Sequence, residues 1–182
     1  SQDLSLPFEI SKVERIVTIA CGTSYHAGLV GKYWIERYAR IPNEVVYASE
    51  FRYADTPVDE RTLVIAISQS GETADTRFAA LSAKEKGAPV VGIVNVVGSS
   101  LDREADFTLY THAGPEIGVA ATKTFTSQLA ILFLTALLFA RRRGVIDRDF
   151  FYRGVEKLNE VARKVEKVLE LNEEIAEIAT RY

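Results

Sequence analysis

The sequence contains no methionine and a single cysteine, Cys21. One thiol makes neither an internal disulfide nor a thiolate metal cluster. His26 and His112 are the only histidines, and neither has a cysteine, histidine or carboxylate at ligand spacing, so no metal site is expected. Excess charge of one sign is also missing. Against 22 Lys and Arg stand 25 Asp and Glu, a net charge of -3, so no basic field draws the chain to nucleic acid or an anionic membrane. The longest apolar run, 129–140, is interrupted by Thr135 and is too short to span a bilayer; a buried helix is expected there. No signal peptide is recognisable, which makes the cytoplasm the default location.

Several cofactor and nucleophile motifs are lacking too. Gly22, Gly28 and Gly31 follow the first strand at a spacing that does not make the dinucleotide fingerprint, and no Gly-Lys-Ser/Thr loop occurs. The glycines of a nucleophile elbow are absent around Ser68 and Ser70. No cofactor is implied. A chain that starts at serine and has no methionine reads as a piece of something longer.

What is present centres on residues 63–76, LVIAISQSGETADT. The unbroken apolar run 63–67 suits a strand buried on both faces of a parallel sheet. A cluster of hydroxyl and amide side chains follows at once, with Ser68, Gln69, Ser70 and Thr73 around Gly71. From Thr73 the pattern turns helical, with Thr76, Ala79, Ala80 and Ala83 at three- and four-residue spacing. Open parallel sheets bind ligands at such turns, beyond the carboxyl ends of their strands. The first amides of the helix have no partner inside it, and its dipole favours an anion. A phosphate fits. An ordinary N-cap needs one hydroxyl, and this turn offers three.

The same unit recurs along the chain. Residues 15–21 form a first strand that breaks at Gly22, and Thr23 and Ser24 are expected to cap a helix over about 25–40. Strands are expected at 44–48, 89–95 and 107–111, with short helical turns at 49–53 and 101–104. This alternation predicts an α/β fold of three layers, a doubly wound and about five-stranded parallel sheet flanked by helices. The segment 112–126, HAGPEIGVAATKTFT, is a loop rich in small residues that leads into a helix over 122–143. Residues 1–12 read as a linker or lead-in, 13–146 as the domain, and 147–182 as a long amphipathic helical segment that packs on the domain or on a partner. Cys21 reads as a small core residue, His26 as a structural histidine, and Lys123 as solvent-exposed.

Three stretches together are more specific than any one: ACGTSYHAG at 20–28, SQSGETADT at 68–76 and GPEIGVAATKTFTSQ at 114–128. They resemble the sugar isomerase (SIS) domains of the glutamine:fructose-6-phosphate aminotransferases, as do ASEFRY at 48–53 and GSSLDRE at 98–104. The resemblance covers residues 13–143. It implies that the chain is the first of two SIS halves, with its helical tail leading to the second, and that it works in a homodimer through SIS packing. It further implies that Ser68, Gln69, Ser70 and Thr73 hold the phosphate of a hexose 6-phosphate such as fructose 6-phosphate or glucosamine 6-phosphate. Thr23 and Ser24 would contact it from the neighbouring turn, and Val119 would line the sugar. Where that family commonly has GVASTK, Ala121 replaces the serine. The glutaminase cysteine and the lysine, glutamate and histidine of the isomerase step belong to parts of the family's enzyme that this sequence does not match. No catalytic residue is therefore assigned, and binding without turnover is expected. Two other readings remain: a stand-alone SIS sugar-phosphate sensor, and a phosphosugar isomerase or deglycase, for which Glu50, Glu72 and Glu116 are the only carboxylates near the pocket.

Overall fold

A computed structural model describes residues 6–118 and 120–182. In chain order the elements are β1 (Arg15–Ala20), α1 (Gly22–Trp34), a single π turn at Ile35–Ala39, β2 (Asn43–Tyr47), α2 (Ala48–Tyr53) and β3 (Thr62–Ser68). There follow α3 (Ala74–Glu85), β4 (Val90–Val94), α4 (Ser100–Glu104), β5 (Phe107–Tyr110), α5 (Lys123–Arg142), α6 (Arg148–Leu169) and α7 (Asn172–Ala179). The chain divides into two compact units, one ending at Ile146 and the other spanning Asp147–Tyr182.

The first unit is built on one five-stranded sheet in the order β2-β1-β3-β4-β5, and every pairing is parallel. This is the doubly wound α/β architecture that the strand-helix alternation predicts. β3 is central, and all seven of its residues are buried. Covered on both faces, it needs no polar alternation. Its side chains still divide with period two: Leu63, Ile65 and Ile67 enter one core cluster, Val64 and Ala66 the other.

The first cluster joins the sheet to α1 and α5 through Ala27, Leu132, Ala136 and Phe139. The second joins it to α2, α3 and α4 through Phe51, Ala79, Ala80, Ala83 and Leu101. Close approach on the first face depends on missing side chains. A Cβ at Gly28 would meet the Thr18 Cγ2 at 3.0 Å, and one at Gly31 would meet Leu132 at 3.0 Å. α5 has 20 residues, long and apolar enough to cross a bilayer by length and composition. Its Leu132, Ala136, Leu137, Phe139 and Ala140 are instead buried in the unit's own core.

Before β1, a 3-10 turn at Ile10–Lys12 places Ile10 in the same core. In the second unit, Asp147 caps α6 by accepting from the Phe150 amide at 2.7 Å. Val161, Val165, Val168, Leu169, Leu171, Ile175 and Ile178 are exposed there.

Candidate functional site

Strand order decides where a ligand fits. The chain leaves β1 toward β2 on one side, and leaves β3 toward β4 on the other. The carboxyl ends of the adjacent β1 and β3 therefore form the topological switch point, where neighbouring connections diverge and a crevice opens. α1 packs on one face of the sheet and α3 on the other, so the first turns of both helices flank that crevice. The segments carrying Thr23 and Ser24, and Ser68, Gln69, Ser70 and Thr73, come together there.

Thr23 and Ser24 do not cap α1. The helix begins earlier, at Gly22, with Cys21 in the N-cap position and no side-chain cap bond. Both hydroxyls consequently lie in its first turn. Ser24 is only 6% exposed, and its Oγ accepts from Gln128 Nε2 of α5 at 3.0 Å. That bond occupies one lone pair and leaves the hydroxyl proton to donate elsewhere.

The turn after β3 is braced internally. Ser68 is buried, and its Oγ accepts from the Gly71 amide at 3.0 Å while sharing a 3.0 Å hydrogen bond with Thr73 Oγ1. Ser70 Oγ accepts from the Glu72 amide at 3.1 Å, so its own proton is free to donate. When Ser68 donates to Thr73, the Thr73 proton is free as well. Thr73 holds the N-cap position of α3 with extended backbone, yet its hydroxyl makes no capping bond. The leading amides of α3 remain open to an anion. Gln69 is half-buried, and its carbonyl accepts from the Asn95 amide at 3.0 Å.

Gly71 is required for a reason internal to the protein. Its φ is +67°, and a Cβ there would lie 2.0 Å from Ser99 Oγ and 2.5 Å from Ser99 Cβ. The close neighbour is thus the β4–α4 turn. Leu101 N donates to the Gly71 carbonyl at 3.0 Å and holds the two turns together.

Two of the carboxylates near the crevice, Glu72 and Glu116, serve as helix caps. Glu72 Oε1 accepts from the Ser100 amide at 2.7 Å, so it supports α4 and not α3; that amide bond holds its carboxyl below the usual range. Glu116 Oε2 accepts from the Thr122 amide, the Thr124 amide and Thr124 Oγ1 at 3.0 to 3.2 Å. The Thr124 amide is the main cause of its lowered pKa. Carboxylates engaged in this way are weak bases. Glu50 sits exposed on α2.

Lys123 is exposed at the start of α5. Cys21 packs at the edge of the second core cluster and lies 3.9 Å from Thr76 Oγ1. His26, expected to be a satisfied structural residue, is exposed, with an edge contact to the Tyr25 ring. Val119 lies outside the described residues. Among the described residues no group of three or more His, Cys, Asp and Glu is arranged to hold a metal.

Two residues of the site escaped the sequence reading. Gln128 is 1% exposed and reaches Ser24 across 104 positions of sequence; its signal was an amide inside an apolar helix. Asn95 follows β4, one residue beyond the register pair Ser68 and Val94, and its amide reaches the turn after β3. A polar residue ending an otherwise apolar strand was its signal.

The SIS domain signature matches residues 9–138. The glutamine–fructose-6-phosphate aminotransferase (isomerizing) of Aquifex aeolicus is 57% identical over all of this chain, which spans 29% of that relative. A counterpart from Thermus thermophilus is 47% identical over 99% of the chain, or 30% of the relative. Among solved structures, the C-terminal domain of glucosamine-fructose-6-phosphate aminotransferase from Francisella tularensis superposes with a TM-score of 0.88 at 42% identity, covering 93% of this chain and 48% of that one. With its five-stranded parallel sheet, its switch-point crevice and a match across most of its length, the chain belongs to the SIS domain family.

Proposed function

We propose that this chain is the hexose-6-phosphate-binding SIS half of a glutamine:fructose-6-phosphate aminotransferase, and that it binds sugar phosphate without turning it over. The observation that carries the reading is the turn after β3. There an uncapped twelve-residue helix presents its amides beside two hydroxyls: Ser70, whose proton is free to donate, and Thr73, whose proton is free when Ser68 donates to it. Such a group favours a dianion without a fixed positive charge. Names and identities of the relatives support the choice of sugar phosphate. The chain spans less than a third of those relatives, so their full reaction is assigned here only to a longer assembly.

In this reading Ser70, Thr73 and Gln69 hold the phosphate directly, and Ser68 acts through Thr73. Thr23 and Ser24 contact it from α1, and Val119 lines the sugar. The amination and isomerisation need a nucleophile, an amine and a base. Of the three carboxylates beside the crevice, Glu72 and Glu116 are committed to helix caps, which supports assigning neither of them a catalytic role. The segment Asp147–Tyr182 connects to the second SIS half, and its exposed apolar residues are covered by that half. We further propose a cytoplasmic homodimer formed through SIS packing, with neither nucleic acid nor membrane as partner. A net charge of -3 is consistent with that.

The test is calorimetric titration with fructose 6-phosphate and glucosamine 6-phosphate, with unphosphorylated fructose as control. Wild type is expected to bind only the phosphorylated sugars. Ser70→Ala combined with Thr73→Ala removes two hydrogen bonds to a charged group, each about 1.5–3 kcal/mol, and should weaken binding at least ~100-fold. Undiminished binding by the double variant, or product formed from fructose 6-phosphate and glutamine by this chain alone, would refute the proposal.

A further inference from the structure

The Asn95 side chain connects the loop after β5 to the end of β4. Its Oδ1 accepts from Thr111 Oγ1 at 3.0 Å and from the Ala113 amide at 2.7 Å. Its Nδ2 donates to the Gly114 carbonyl at 2.8 Å. The backbone amide of the same residue donates to the Gln69 carbonyl in the turn after β3 at 3.0 Å. One residue therefore grips the phosphate turn with its main chain and the glycine loop with its side chain. Both lone pairs of the amide oxygen are used, so the position of Gly114 is set relative to Gln69 through a single side chain.

From this geometry we infer that Asn95 is a positioning residue that makes the site selective for a phosphate carrying a sugar over phosphate alone. The inference rests on the reading of the β3 turn as a phosphate site. The phosphate is held by groups whose geometry the Asn95 side chain does not touch. In the reading proposed above the sugar meets the loop that begins at Gly114, whose start the side chain holds. Loss of these bonds leaves the loop to sample other conformations, and binding that needs one of them weakens by the fraction of time it is absent. Main-chain support of Gln69 comes from the backbone amide and survives any substitution at 95 other than proline. The two effects thus separate by ligand.

The experiment titrates the chain with inorganic phosphate and with fructose 6-phosphate, in wild type, Asn95→Ala and Thr111→Val. Asn95→Ala should weaken fructose 6-phosphate roughly tenfold or more while changing inorganic phosphate less than about threefold, and should speed hydrogen exchange of the Ala113 amide. Thr111→Val removes one of the three bonds. It should shift the same ratio in the same direction by a smaller factor, and it carries the test if Asn95→Ala fails to fold. An unchanged ratio of the two affinities would overturn the inference, as would equal loss of both ligands. Wild type that binds neither ligand would overturn the phosphate reading itself, a result distinct from the other two.

Discussion

Gly71→Ala offers the sharpest test of how the turn after β3 is built. At φ +67° an alanine in the left-handed region costs about 1–2 kcal/mol. Its methyl would in addition lie 2.0 Å from Ser99 Oγ and 2.5 Å from Ser99 Cβ. Rotating the serine removes only the first clash. The Cβ stays where it is, because the Leu101 amide ties the following helix to the Gly71 carbonyl at 3.0 Å. Backbone must move, and overpacking of this kind costs a further ~1–3 kcal/mol. The variant should therefore lose about 2–5 kcal/mol in urea denaturation. Ser99→Gly removes both offending atoms. Ser99 Oγ makes no hydrogen bond, although it is buried, so little is lost with it. In the Gly71→Ala, Ser99→Gly double variant only the backbone term should remain, giving a coupling energy of about 1–3 kcal/mol in a double-mutant cycle. Additivity within ~0.5 kcal/mol would show that the two turns do not constrain one another as described.

Three further outcomes follow from other contacts. Ser24→Ala leaves the buried Gln128 amide with neither of its ends paired and should cost about 1–3 kcal/mol; adding Gln128→Met should recover most of that loss on the same denaturation curve. Gly31→Ala drives a methyl to 3.0 Å from Leu132, which is fully buried; an overpacking cost of ~1–3 kcal/mol less the ~1 kcal/mol that alanine gains over glycine inside a helix leaves a net loss of up to ~2 kcal/mol, with Leu132→Val restoring part of it. Glu116 has its folded pKa depressed, first by the Thr124 amide. Its contribution is therefore present above the ordinary glutamate pKa and lost as pH falls through the depressed one. Glu116→Gln should lower stability near pH 7 and flatten the acid limb of a stability-versus-pH curve. An unchanged acid limb would show that the cap contributes nothing.

Much of this molecule is determined locally. Residues 63–67 suit a strand covered on both sides, since no alternation offers a wet face, and the polar cluster that follows is contiguous in sequence. A strand, a hydroxyl-rich turn and a helix start are therefore legible without tertiary information, and so is the parallel α/β class that repeats them. Local pattern was less informative where two helix starts look alike. Thr23 and Ser24 resemble caps, yet α1 starts at Gly22, because Cys21 already holds the extended N-cap backbone.

Only the tertiary structure decided which turns meet. The order β2-β1-β3-β4-β5 places the first and third strands side by side and so makes one crevice from two distant segments. Packing between adjacent turns then assigned the remaining roles. Gly71 is glycine because of Ser99, Glu72 caps α4, and Asn95 joins the turn after β3 to the loop after β5. Each of these depends on atoms brought within hydrogen-bond or van der Waals distance across the sheet end. Periodicity along the chain carries no record of such distances, since it reports which face of an element is buried and not which neighbour covers it.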